Sequence, residues 1–131
     1  MKYLNDYVSE AQEQAFKDSG AFFAFNSDQL SEGLSKLPNN VKLVPIGGGL
    51  YCPSAKADWL INEINRIHDE GISQDINDNG LFNIAKREIN NYECKYSGYL
   101  TDDCLRTLSM YGINEKQANL AFRGINFEKT I

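Results

Sequence analysis

The spacing of apolar positions along this chain changes from a helical period to a strand period and back, and the changes mark its elements. Leu4, Tyr7, Val8, Ala11 and Ala15 recur three and four apart with acids and glutamines between them, which predicts an amphipathic first helix over 2–18. Ser19-Gly20 supplies its stop. AFFAF at Ala21–Phe25 is too short and too aromatic for a helix and reads as a strand. Asn26 stands three residues before Gln29, the spacing of a reciprocal capping box, and opens a helix on which Leu30, Leu34 and Leu37 share a face. VKLVPI and LYC then flank Gly47-Gly48-Gly49, glycines that accept the positive φ a tight reversal between strands requires.

Pro53-Ser54 opens a third helix, in which Ala57, Leu60, Ile61, Ile64 and Ile67 form a continuous apolar stripe; Gly71 is its expected end. ISQDINDNG, Ile72–Gly80, is polar and rich in turn formers, and the expectation there is a mobile connection. A fourth helix is predicted from about Leu81 to Tyr92. Leu100 and Leu105 bracket Thr101 as a hydrophobic staple around an N-cap, and Gly112 is the matching C-terminal stop. Asn114 with Gln117 repeats the capping-box spacing for a last helix that Gly124 ends. The order α-β-α-β-β-α-α-α-α predicts an α+β fold: a small antiparallel sheet of about three strands covered by helices, with a helical C-terminal third, in a single domain spanning 1–131.

Charge narrows the functions open to such a domain. Eighteen acids against 13 basic residues give a net charge of −5, which repels phosphate backbones at long range. The imbalance lies in residues 1–100, with 14 acids and 9 bases, while 101–131 hold 4 of each. Only the C-terminal end is therefore permissive for nucleic acid. No apolar run approaches the ~20 residues of a bilayer span, and Asp6 and Glu10 fall where a secretory signal would be apolar, so a cytoplasmic protein without a membrane partner is expected. Three irregularly spaced cysteines, Cys52, Cys94 and Cys104, fit reduced thiols better than a disulfide framework.

Candidate chemistry is thin. One histidine, His68, cannot build a zinc site, and its place near a helix end beside Asp69 and Glu70 suits a solvated side chain. Asp75, Asn77 and Asn79 alternate as a calcium loop begins and Gly80 follows suitably, but Lys86 occupies the place of the closing bidentate glutamate. No metal and no cofactor are expected. Cys52, between a strand and a helix start, is the candidate nucleophile of a hydrolase, yet His68 lies sixteen residues further on, about 24 Å along a helix, so a buried structural thiol is the stronger reading. The glycine triplet has neither a P-loop lysine nor the context of a dinucleotide fingerprint.

Two patterns point to binding instead. Leu108, Gly112 and Ala118 have helix-turn-helix spacing, so a DNA-binding regulator using Gly112–Arg123 would present Glu115, Lys116, Gln117, Asn119 and Arg123, although Glu115 opposes phosphate and any tight helical hairpin has the same spacing. NNYECKYSGY, Asn90–Tyr99, places three tyrosines and two carboxamides after the fourth helix, and tyrosine is enriched at protein interfaces because it offers large contact area at low entropy cost.

AFFAFNSDQLSEGL (Ala21–Leu34), PIGGGLYCP (Pro45–Pro53) and REINNYECKYSGYLTDD running into Gly112 together resemble a group of small proteins from bacteriophage and other mobile-element genomes. The resemblance covers about two thirds of the chain and implies a compact α+β domain in a mobile-element setting, with no reaction attached. Tyr92 stands where that group commonly has histidine and Tyr99 where it has an acid, so two ionisable groups are missing here. The expectation is thus a non-enzymatic accessory protein that engages a protein partner through Asn91, Tyr92, Glu93, Tyr96 and Tyr99.

Overall fold

The computed structural model describes residues 1–129; the last two positions of the expected 1–131 domain lie outside the described residues. The chain divides into two compact units, one of residues Asn5–Glu70 and one of Met1–Leu4 together with the chain from Gly71 onward. The first holds the sheet and the second is helical.

In the sheet unit, α1 (Leu4–Ser19) buries Val8 and Ala15, and ends as the Ser-Gly pair requires: Gly20 takes φ 77°, its N–H reaches Lys17 O and that of Ala21 reaches Phe16 O. The aromatic strand is shorter than expected, with β1 only Phe22–Phe23. α2 (Ser27–Ser35) starts from Asn26, whose side chain accepts from Gln29 N at 2.8 Å. The expected reciprocity is displaced by one residue, because Gln29 Oε1 accepts from Phe25 N rather than from the N-cap itself. Gly33 in the middle of α2 is explained by packing: a Cβ there would lie 2.1 Å from the Phe22 ring. β2 (Leu43–Gly47) and β3 (Leu50–Pro53) form the hairpin, and the antiparallel order β1-β3-β2 pairs Phe22 with Tyr51 and Val44 with Cys52. Pro45 is accommodated because β2 is an edge strand.

α3 (Ser54–Asn79) corrects the sequence reading. It does not stop at Gly71, and the expected mobile connection is helix as far as Asn79. Gly71 is buried, Ile72 and Ile76 pack on the helical core, and Asp75 is fully buried against a partner on another helix. Those tertiary contacts outweigh the turn propensity of the segment. The true stop is Gly80, with φ 77°.

The helical unit is built on α4 (Leu81–Asn91), which packs on α5 (Cys94–Ser97), α6 (Asp102–Met110) and α7 (Glu115–Phe122). α5 is an additional short helix that the sequence reading did not separate. Gly80 has no side chain to cap α4, and Glu128 Oε1 accepts from Phe82 N at 2.7 Å in its place. Thr101 caps α6 and the Asn114–Gln117 capping box of α7 is complete, as expected. Gly112 and Gly124 adopt the left-handed conformation at the two helix ends. The core holds Ile84, Ile89, Leu108, Ile113 and Phe127 with the thiols of Cys94 and Cys104. The architecture is α+β, a three-stranded antiparallel sheet with seven helices among the described residues.

Candidate functional site

The segment after α4 places the expected binding residues on a tight turn. Tyr92 ends α4, and Glu93 then takes the left-handed conformation (φ 55°), which reverses the chain into α5; Gly98 at φ 84° closes that helix. Tyr96 and Tyr99, on or just after α5, are 94% and 64% exposed. Neither ring has a hydrogen bond or a ring partner among the described residues. Asn91 and Glu93 are exposed as well. Tyr92 differs: it is half-buried, and its hydroxyl shares a 2.7 Å hydrogen bond with the Thr107 hydroxyl on α6. Tyr92 therefore ties the turn to α6, and the free aromatic surface is left to Tyr96 and Tyr99.

A second group of polar residues, which the sequence reading missed, lies inside the helical unit. Arg87 grips Asp75 with two nitrogens, Nη1 to Oδ1 at 2.9 Å and Nη2 to Oδ2 at 3.0 Å. The Tyr111 hydroxyl donates to Asp75 Oδ2 at 2.7 Å, and Asn79 Nδ2 donates to Oδ1 at 2.8 Å. Arg87 Nη1 also donates to Lys2 O, and the guanidinium lies 5.4 Å from the centre of the Tyr3 ring. Burial opposes the charge on Asp75, but the donors from Arg87, Tyr111 and Asn79 outweigh it and hold the carboxyl below its ordinary range. Burial pushes the Tyr111 hydroxyl up, and its donation to Asp75 adds to the rise. Each Asp75 oxygen is doubly occupied, so the arrangement fastens helices and leaves no lone pair for a substrate.

Glu88, next to Arg87, is buried without a hydrogen bond at Oε2, which stands 3.7 Å from an equally unsatisfied Arg87 Nε. Burial pushes its carboxyl up, against the opposing pull of Arg87. A signal for the Asp75 cluster did exist in the sequence: Leu60, Ile64, Ile67, Gly71 and Asp75 continue one helical face at steps of three and four.

The remaining candidates have structural settings. Cys52 is fully buried, burial raises its thiol, and Sγ lies 3.4 Å from Pro53 O. Burial likewise pushes Cys104 up to about 12, with Cys94 beside it. These are the opposite of activated nucleophiles. Asp75, Asn77 and Asn79 lie on α3 and form no loop, and the described residues hold no group of three metal-ligating side chains. In the helix-turn-helix pattern Leu108 and Ala118 are fully buried, Gln117 is engaged in its cap, and Asn119 donates to Glu115 O. Among the described residues no helix is long and apolar enough to cross a membrane.

The helical unit thus carries a buried ion pair in its core and an exposed tyrosine turn at its surface, within an α+β architecture. The chain belongs to a family of unknown function, DUF7659, which matches residues 4–123 and so runs through both units. No curated protein and no solved structure matches it.

Proposed function

We propose that this protein is a non-enzymatic accessory protein of a phage or other mobile element, and that it binds a protein partner through Tyr96 and Tyr99, with Asn91, Tyr92 and Glu93 around them. The observation that carries the reading is the exposure of Tyr96, 94%, on a turn whose backbone is fixed on both sides by left-handed residues and by the Tyr92–Thr107 hydrogen bond. A tyrosine carried on an ordered backbone has only its two side-chain torsions left to lose when a partner covers it, which is the property of an interface anchor. The mobile-element setting is supported by the three sequence stretches quoted above.

The experiment pairs capture of host proteins on the immobilised full chain with thermal midpoints, for Tyr96→Ala and Tyr99→Ala. Capture should fall sharply, because an aromatic anchor contributes about 2 kcal/mol or more to binding, while the midpoint stays near that of the wild type. Unchanged capture with an unchanged midpoint would remove the tyrosines from the functional account.

A further inference from the structure

A cavity of about 370 Å³ opens in the helical unit between α4 and the end of α7, lined by Lys86, Ile89, Asn90, Lys95, Ala121 and Gly124. Its floor is apolar, and its charged lining residues are both lysines. Lys86 Nζ lies 5.2 Å from the centre of the Phe82 ring, and Lys95 Nζ lies 4.4 Å from that of Phe122 while donating to Phe122 O. Rings and a carbonyl orient the two ammonium groups without neutralising them. Among the described residues neither Lys86 nor Lys95 forms an ion pair with a carboxylate. A protein of net charge −5 thus keeps two uncompensated cations beside one apolar slot.

We propose that this slot receives an acidic segment of the protein partner, one apolar side chain entering between Ile89 and Ala121 and flanking carboxylates meeting Lys86 and Lys95. The proposal rests on the partner-binding reading above and gives that partner a chemistry. Lys95 and Tyr96 are adjacent on α5, so the slot and the exposed ring are carried by the same short helix. A peptide fits better than a nucleic acid, since two cations on an acidic protein do not track a phosphate backbone, while they do pair with two carboxylates around an apolar anchor.

The test is a titration of the full, isotope-labelled chain with the blocked peptide Glu-Glu-Leu-Glu-Glu, followed by amide shifts. The amides of Ile89, Asn90, Ala121 and Gly124 should move, and the same peptide with glutamine for each glutamate should bind about fivefold or more weakly, the product of two exposed ion pairs. Lys86→Gln combined with Lys95→Gln should abolish that preference. Lys86→Glu alone should also remove most of it, since one attraction then faces one repulsion, and this variant leaves the Lys95 contact with Phe122 intact. Equal binding of the two peptides, shifts confined to other residues, or tighter binding of a short single-stranded thymidine oligonucleotide at the same amides would overturn the proposal. The two readings fail separately: capture that needs Tyr96 and Tyr99 beside a slot indifferent to the peptide defeats only the slot, and the converse defeats only the tyrosines.

Discussion

The sheet unit and the helical unit solve the same packing problem with different completeness. In the helical unit, Ile84, Ala85, Cys94, Cys104, Leu108 and Ala118 are all fully buried, and a doubly hydrogen-bonded ion pair sits among them. In the sheet unit α2 has no buried residue at all, and Phe23 and Phe25 remain 50% and 73% exposed. Those rings are not idle: Phe16 meets Phe23 edge-on at 5.6 Å, Phe23 stacks on Phe25 at 6.2 Å, and Phe25 covers Gly49. The sheet unit buries Cys52 and Leu60 fully but adds to that smaller core a ladder of rings at its surface. Partly covered aromatic contacts open more easily than a closed core, so the helical unit is the firmer of the two.

The largest way to break this contrast is at Asp75. Asp75→Ala should destabilise the helical unit by about 3–5 kcal/mol, because it leaves the Arg87 guanidinium buried without its carboxylate. Chemical denaturation measures it, and a loss below about 1 kcal/mol would mean that the pair does not organise this core. Next come the two largest fully buried leucines. Leu60→Ala in the sheet unit and Leu108→Ala in the helical unit should each cost about 2–5 kcal/mol, with Leu108 nearer the upper end because its surroundings cannot collapse as readily. Equal costs from parallel denaturation curves would erase the distinction between the units.

Acid and base dependence sharpens the comparison further. The Asp75 carboxyl is held below its unfolded value of about 3.9, so its contribution is full above that pH and is lost as pH falls through the lower folded value. Glu88 runs the other way: burial raises it, so its contribution is full below about 4.3 and is lost as pH rises through the folded value. Glu88→Gln should therefore gain stability over the wild type as pH rises from acid to neutral, and a flat difference between the two curves would contradict the assignment. The smallest effects are expected at the surface. Tyr96→Ala should change stability by no more than about 0.5 kcal/mol, while Phe25→Ala should cost about 1 kcal/mol, since Phe25 has a ring partner and Tyr96 has none. Reversed magnitudes in thermal melts would show that Tyr96 is part of the core.

What could be read from sequence was what is decided within a few residues. Asn26, Thr101 and Asn114 cap their helices from side chains three positions away, and Gly20, Gly112 and Gly124 stop helices through their own backbone freedom. Gly71 and ISQDINDNG were misread for the same reason. Their helix is decided by Asp75 meeting Arg87 twelve residues on, and by Ile72 and Ile76 reaching the core, neither of which local turn propensity records. Glu93 shows the limit from the other side, because a left-handed glutamate carries no local signature, and α5 was missed with it. The tyrosines were legible as a cluster, but Tyr92 turning to Thr107 while Tyr96 stays in solvent depends on where α6 packs. The slot between Lys86 and Lys95 depends in the same way on the end of α7.

Native-state amide exchange reads the contrast between the units residue by residue. The amides of Ile84, Ala85, Ile89 and Leu108 should exchange only through global unfolding, with protection equal to the full stability, while those of Leu30 and Leu34 in α2 should exchange through smaller openings at lower cost. Protection in α2 equal to that in α4, or exchange of the α4 amides well before global unfolding, would contradict the account of a closed helical unit beside a looser sheet unit.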